Sequence, residues 1–207
     1  MTAGGIDVVG LRRLADTAAK AGGREAAARS RGRRSVELKS DGSEVTDADV
    51  EVERLLVRMI REARPDDGFI GEEGASGGPR GAAGVWWTID PIDGTRNFIR
   101  GGGPFTCTVA ALADGQPVAG SIHVPLEDTL YSASAGGGVT INGRAMADIA
   151  SLAVGPRNPQ PLIAIPSGWR AASGDFVKRL LEISVVRSFG CATANLAYLA
   201  VAISLYR

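Results

Sequence analysis

The sequence has little of the side-chain chemistry that builds zinc centres or imidazole-based catalysis, with two cysteines and one histidine in 207 residues. Cys107 and Cys191 lie in separate apolar stretches without metal-site spacing, so we interpret them as buried thiols of a cytoplasmic protein. His123 lies in a β-rich run without a partner histidine or cysteine, and such a residue is more often part of a strand than a catalyst. Because cysteine and histidine are scarce, a metal site in this chain is expected to use oxygen ligands.

The sequence also lacks an excess of charge and a long apolar run. Lys plus Arg (23) equals Asp plus Glu (23), so no overall attraction to nucleic acid or to an anionic membrane is expected. Basic residues crowd the first 39 positions; we interpret them as a solvated helix face, with a local polyanion site as the alternative. No stretch approaches the roughly 18 apolar residues of a membrane span, and residues 1–5 do not resemble a targeting signal. We therefore expect neither nucleic acid nor a membrane as a partner.

The hydrophobic pattern predicts mixed helices and strands, and hence an α+β domain. Residues 6–29 predict an amphipathic helix with Val9 toward the core and Gly22-Gly23 as a candidate break. A second helix should begin after Thr46 as N-cap and end before Pro65. Further strands are predicted at 69–70, 85–89, 105–113, 117–124, 129–134, 162–165 and 185–187, and further helices at 174–183 and 192–205.

The most informative segment is 90–95 (DPIDGT), which follows the strand predicted at 85–89. Its two carboxylates lie three residues apart, Pro91 restricts the backbone around them, and Gly94 allows a ligand to approach the chain closely. Carboxylates without histidine or cysteine suit Mg²⁺, and amides that open a helix can bind a phosphate. Glu72 or Glu73, at the end of the preceding strand, could complete a set around two ions. Such a pair can activate a water and neutralise the leaving oxygen, which favours phosphate monoester hydrolysis as the reaction. The alternative for the two aspartates alone is an Asx-turn before a helix cap.

Several ordered motifs extend this segment. They are Lys39, Thr46-x-x-Asp49, Gly71-Glu72-Glu73, Trp87-x-x-Asp90-Pro91-Ile92-Asp93-Gly94-Thr95-x-Asn97-Phe98, and Gly190-Cys191-Ala192. From about residue 6 to about residue 202, this pattern resembles the inositol monophosphatase family of Mg²⁺-dependent, lithium-sensitive phosphatases. The resemblance implies a layered αβαβα sandwich that forms a homodimer. It implies one domain over 1–207, with a metal-binding part at about 1–135 and an incomplete α/β part at about 136–207.

The resemblance also implies roles for individual residues. The metal ligands would be Glu72, Asp90, the carbonyl of Ile92 and Asp93, and the catalytic residues would be Glu72, Thr95 and Asp49. Substrate or phosphate would be bound by Asp93, Gly94, Thr95, Gly190, Cys191 and Ala192. The edge of the site would include Lys39 and Glu73. Asp49 has a second interpretation, since with Thr46 it forms a capping-box-like pair.

The chain departs from the family pattern at its end. The family's acidic substrate contact and Trp-Asp metal ligand have no counterpart before Arg207, so we expect this chain to bind Mg²⁺ weakly and to hydrolyse esters slowly or not at all. The favoured substrate is inositol monophosphate, because residues 187–195 resemble inositol phosphatases. Residues 97–101 equally resemble histidinol-phosphate phosphatases, while 3′-phosphoadenosine nucleotides are disfavoured by Asn97. A non-catalytic remnant that acts by binding or dimerisation is the alternative of another class.

Overall fold

The computed structural model describes residues 5–32, 35–40, 42, 44–74, 76–77, 84–146, 162–165 and 174–205. The helices are α1 (Val8–Arg29), α2 (Asp47–Ala63), α3 (Thr95–Arg100), α4 (Gly174–Ile183) and α5 (Ala192–Leu205), with a 3-10 turn at Pro125–Glu127. The strands are β1 (Val36–Leu38), β2 (Glu44–Thr46), β3 (Gly68–Gly71), β4 (Val85–Asp93), β5 (Thr106–Ala113), β6 (Gln116–Val124), β7 (Thr129–Ser134), β8 (Gly138–Ile141), β9 (Arg144–Ala145), β10 (Leu162–Ala164) and β11 (Val185–Arg187). The predicted helices and strands are all present, and the structure adds β1, β2, α3, β8 and β9.

A seven-stranded sheet, in the order β3 to β9, forms the centre of the molecule. β3 and β4 run parallel, and each later neighbour is antiparallel. One face of this sheet packs against α1 and α2. The core on that side is apolar and buried, and its largest members include Leu56, Ile60, Phe69 and Trp87. Burial of this surface is the main source of stability for the fold.

Two glycines in α1 have a different role from the predicted one. The helix continues without a break through Gly22 and Gly23. A Cβ atom on Gly22 would lie 2.7 Å from Cys107 Sγ and 2.9 Å from a methyl carbon of Leu56, and one on Gly23 would overlap the His123 ring. The glycines therefore allow α1 to approach the sheet and α2 closely, at the cost of some helix propensity. The inward orientation predicted for Val9 is also wrong, since Val9 is 49% exposed.

The other face of the large sheet contacts α5. Ile122 and Tyr131 are paired across β6 and β7, and both pack near Ala197 of α5. α5 also contacts β10, which pairs in parallel with β11, and β11 in turn contacts α4. This succession of helices and sheets is the layered α+β arrangement that was predicted. The division of the chain near residue 135 stays a prediction.

None of the helices within the described ranges has the length and apolar character needed to cross a membrane.

Candidate functional site

A β-bulge in β4 brings the two aspartates of segment 90–95 to the same face of the sheet. Side chains three residues apart on a regular strand point to opposite faces. Here Asp90 lies opposite Thr108 and Asp93 lies opposite Thr106, so three steps along β4 match two steps along β5. The extra residue restores a common orientation for the two carboxylates. β4 therefore extends beyond the predicted end at Ile89 and includes both aspartates.

The carboxyl group of Asp90 lies in an unfavourable environment for a negative charge. Burial, followed by the charges of Glu72 and Asp93, raises its pKa to about 8. Its Oδ1 atom is buried and has no hydrogen-bond partner among the described residues. A buried carboxylate oxygen without a donor, beside other carboxylates, is an environment that a cation would stabilise.

Glu72 and Glu73 follow directly after β3, and both form ion pairs with Lys39. Lys39 Nζ lies 3.0 Å from Glu72 Oε1 and 2.7 Å from Glu73 Oε1. Burial lowers the pKa of Lys39, but the hydrogen bonds with Glu73 and Glu72 outweigh this effect and raise it overall. The side chain of Glu73 is 8% exposed, whereas that of Glu72 is 48% exposed. Glu72 is thus the more accessible of the two to a ligand.

The fit of this region to Mg²⁺ rests on its donors and its charge. No group of three or more His, Cys, Asp or Glu side chains is arranged so that it could hold a metal ion in the part of the chain that the structure describes. However, Glu72, Asp93 and Asp49 all act electrostatically on Asp90, and each offers the hard oxygen atoms that Mg²⁺ prefers. The residues present therefore fit the ion, and the individual ligand assignments, including the Ile92 carbonyl, stay predictions.

Asp49 is a helix-capping residue in this structure. Its Oδ2 atom accepts hydrogen bonds from the amide and the hydroxyl of Thr46, at 2.8 Å and 2.5 Å. The predicted capping pair is thereby confirmed, with Thr46 as the N-cap of α2. Burial raises the pKa of Asp49 to about 6, and the bonds from Thr46 oppose part of that rise. A catalytic role for Asp49 stays a prediction, and its charge does act on Asp90.

Glu53 supports the β3 end, and sequence reasoning missed it. The buried side chain of Glu53 accepts a hydrogen bond from the Glu73 amide at 2.8 Å. A Cβ atom on Gly71 would lie only 2.6 Å from Glu53 Oε2, so the glycine makes room for this contact. The available signal was a charged residue four positions after Asp49, which places both carboxylates on one buried face of α2.

The turn between β4 and α3 requires glycine and aligns Thr95 with Ile92. Gly94 has φ +89°, and a Cβ atom there would lie 2.9 Å from Cys191 Cβ and 3.1 Å from the Pro104 carbonyl oxygen. Thr95 opens α3, and its hydroxyl donates to the Ile92 carbonyl oxygen at 3.1 Å. The predicted phosphate-binding amides of Gly94 and Thr95 therefore lie beside the predicted metal-ligating carbonyl.

The segment 190–192 meets this turn from the other half of the chain. Gly190 has φ +72°, and Ala192 is the first residue of α5. The Cys191 thiol donates to the Asp93 carbonyl oxygen at 3.3 Å, and burial raises its pKa to about 11. The structure thus brings the predicted residues of both halves together, while their contacts with substrate stay predictions.

Two further residues join the halves of the site. The Asn97 side-chain amide donates to the carbonyl oxygens of Pro104 and Phe189, at 2.7 Å each, and so fixes α3 against the segment before α5. Thr193 donates two hydrogen bonds to the carboxylate of Asp93. Sequence reasoning used Asn97 only as an indication against nucleotide substrates and gave Thr193 no role. Asn97 lies within the 87–98 motif, but no local signal points to Thr193.

Comparison with known proteins agrees with this arrangement. The sequence pattern of the inositol monophosphatase family matches residues 10–203. An inositol-1-monophosphatase from Rhizobium meliloti is 35% identical over 174 residues, covering 80% of this chain and 62% of the relative. A histidinol-phosphatase from Mycobacterium tuberculosis is 39% identical over 103 residues, covering 50% of this chain and 39% of the relative.

The fold has solved counterparts. The crystal structure of the extragenic suppressor protein suhB from Bartonella henselae superposes with a TM-score of 0.80 at 27% identity, covering 90% of this chain and 72% of that one. The chain spans 62% of the length of the Rhizobium meliloti relative. Sequence pattern, relatives and fold agree, and the chain belongs to the inositol monophosphatase family.

Proposed function

We propose that this protein is a Mg²⁺-dependent hydrolase of small phosphate monoesters. The observation that carries the proposal is the bulge in β4, which directs Asp90 and Asp93 to one face next to Glu72. An oxygen-only donor set with buried negative charge, beside a glycine turn that opens a helix, suits a metal-assisted reaction on a phosphate. Membership of a phosphatase family supports the same reaction class.

Some residues of the site would bind the ions and the phosphate, and others would orient the attacking water. Glu72, Asp90, Asp93 and the Ile92 carbonyl would hold the ions. When bound, the ions supply an activated water and neutralise charge on the departing oxygen. The amides of Gly94 and Thr95 would bind the phosphate oxygens.

Thr95 and Glu72 would orient the attacking water. Because the Thr95 hydroxyl donates its hydrogen bond to the Ile92 carbonyl, its lone pairs remain free to accept a hydrogen bond from the attacking water. Glu72 would accept the other proton, since its side chain is the more exposed of the two glutamates. Lys39 would restrict the motion of Glu72 and Glu73 while this happens.

The substrate that we favour is inositol monophosphate. The support is the Rhizobium meliloti relative, whose match covers 80% of this chain. Histidinol phosphate is the second candidate, supported by the higher identity of the Mycobacterium tuberculosis relative over half of this chain. Both are small phosphorylated metabolites, and both would place the phosphate at the same turn.

The proposal extends to the setting of the enzyme. Cys107 and Cys191 are both buried and unpaired, which suits a reducing, cytoplasmic environment. A homodimer, as the family resemblance implies, is part of the proposal, and sedimentation of the purified chain would measure it.

The test is phosphate release by the purified chain on inositol monophosphate and on histidinol phosphate, with and without Mg²⁺. We expect slow, Mg²⁺-dependent release that Asp93→Asn abolishes. Asp114→Asn is the matched control, because Asp114 is an exposed carboxylate in the β5–β6 turn at φ +50°, a conformation that asparagine tolerates. Metal binding without release in the wild type would instead support the non-catalytic remnant, and equal activity of Asp93→Asn and wild type would refute the assigned site.

A further inference from the structure

The Asp93 carboxylate is held from the opposite half of the chain by one residue of α5. The amide and the hydroxyl of Thr193 both donate to Asp93 Oδ2, each at 2.6 Å. Two donors on a single oxygen fix the rotation of the carboxylate plane. Hydrogen bonds to a charged acceptor are shorter and stronger than those between neutral groups. Oδ1 is not engaged by Thr193.

The Thr193 hydroxyl is itself oriented by β5. Thr106 is fully buried and lies opposite Asp93 in the sheet, and its hydroxyl is in hydrogen-bond contact with the Thr193 hydroxyl. Since Thr193 gives its proton to the carboxylate, Thr106 must be the donor in that second bond. The Cys191 thiol donates to the backbone carbonyl of Asp93 at 3.3 Å. Every one of these contacts therefore directs a proton toward Asp93.

A set of donors around one carboxylate favours a single orientation of that carboxylate. The position of Thr193 near the start of α5 adds to this effect, because the amides at a helix start attract negative charge. Asp93 lies at the irregular end of β4, so it lacks the support that a residue within a regular strand receives from its neighbours. The carboxylate would otherwise be free to rotate away from Asp90.

We propose that Thr193 is a positioning residue, which holds Asp93 so that Oδ1 faces the ions and substrate on the Asp90 side. This inference rests on the proposed function. Removing an outer hydrogen-bond partner of a metal ligand typically weakens metal affinity about 10–100-fold. The amide bond survives any side-chain substitution, so the expected effect of losing the hydroxyl is near the lower end, about 10-fold.

The experiment measures Mn²⁺ affinity of the full 207-residue chain by titration calorimetry, together with the melting temperature of the metal-free protein. Thr193→Val keeps the shape and the amide but removes the hydroxyl, and it should raise the Kd for Mn²⁺ about 10-fold. Thr193→Ser restores the hydroxyl and should bind within about 2-fold of wild type, because the bond to Asp93 is retained. Thr129→Val is the control, since the Thr129 hydroxyl donates to the Glu127 carbonyl and Thr129 lies on β7, three strands away from β4.

The outcomes separate this inference from the proposed function. If the wild type binds Mn²⁺ and Thr193→Val binds it equally well, the positioning role is wrong, even where the melting temperature falls. If the wild type itself binds no Mn²⁺, the proposed metal site is wrong and this inference falls with it. Where Thr193→Val does not fold, Thr106→Val tests the same chain of hydroxyls one step away, and a Kd unchanged from wild type would overturn the proposal.

Discussion

The charge on Asp90 should make the metal-free protein less stable as pH rises. Burial and the neighbouring carboxylates raise the pKa of Asp90 from its ordinary 3.8 to about 8. Between these two values the folded protein holds a proton that the unfolded chain has released, so stability present at low pH is lost as pH rises toward 8. Asp49, with its pKa raised to about 6, acts in the same direction over the lower part of the window. We expect the effect to be largest at pH 8.

The size of the effect follows from the shift. Each pKa unit corresponds to about 1.4 kcal/mol of differential stability, so the whole shift sets an upper bound of roughly 5–6 kcal/mol. Relaxation of the site and entry of water would relieve part of this cost in the wild type. Asp90→Asn removes the charge while keeping the shape, and should therefore raise the free energy of unfolding of the metal-free protein at pH 8 by about 2–4 kcal/mol.

Urea denaturation in the presence of a chelator, at pH 5 and at pH 8, measures this prediction. The wild type should be less stable at pH 8, and Asp90→Asn should lose most of that difference, whereas Asp114→Asn should behave as wild type. Addition of Mg²⁺ at pH 8 should stabilise the wild type and leave Asp90→Asn unchanged. A metal-free Asp90→Asn variant that is less stable than wild type at pH 8 would show that the carboxylate is not under electrostatic strain.

Three packing predictions can be checked by the same denaturation assay. Gly94→Ala places a Cβ atom 2.9 Å from Cys191 Cβ at φ +89°, and should cost about 2 kcal/mol or more. Gly23→Ala forces α1 off the His123 ring and should cost about 1–3 kcal/mol, so a neutral or stabilising result would contradict the close approach. Trp87→Phe removes the donor to buried Asp67, at 2.8 Å, and should cost about 1–3 kcal/mol. A Trp87→Phe variant as stable as wild type would show that this bond contributes nothing.

Local patterns were enough to predict the elements and to identify the central motif. α2 was predictable because its apolar period, its N-cap Thr46 and its stop at Pro65 all agree, and the structure has the helix at Asp47–Ala63. Segment 90–95 was recognisable because two carboxylates three residues apart flank a restrictive proline and precede a glycine. In both cases the information lies within a short stretch of chain.

The rest depends on contacts between distant segments. The bulge between Asp90 and Asp93 is defined by the pairing with β5, which the β4 sequence alone does not specify. Gly22-Gly23 looked like a helix break because local propensity ignores what packs on the helix, and close packing against Cys107 overrides it. Thr193 meets Asp93 from 100 residues further along the chain, so its contact follows only from the fold.

The bulge in β4 makes the length of this stretch as important as its composition. Deleting a single residue between Asp90 and Asp93, Pro91 for example, would remove the bulge: the two aspartates, then two residues apart, would keep a common face, but the backbone arrangement that places the Ile92 carbonyl beside the Thr95 hydroxyl would be lost. A substitution at Pro91 or Ile92 leaves the count intact, but Ile92 is fully buried in the core, so a smaller side chain there would leave a cavity. Homologous proteins that preserve the chemistry should therefore keep the number of residues between the aspartates unchanged.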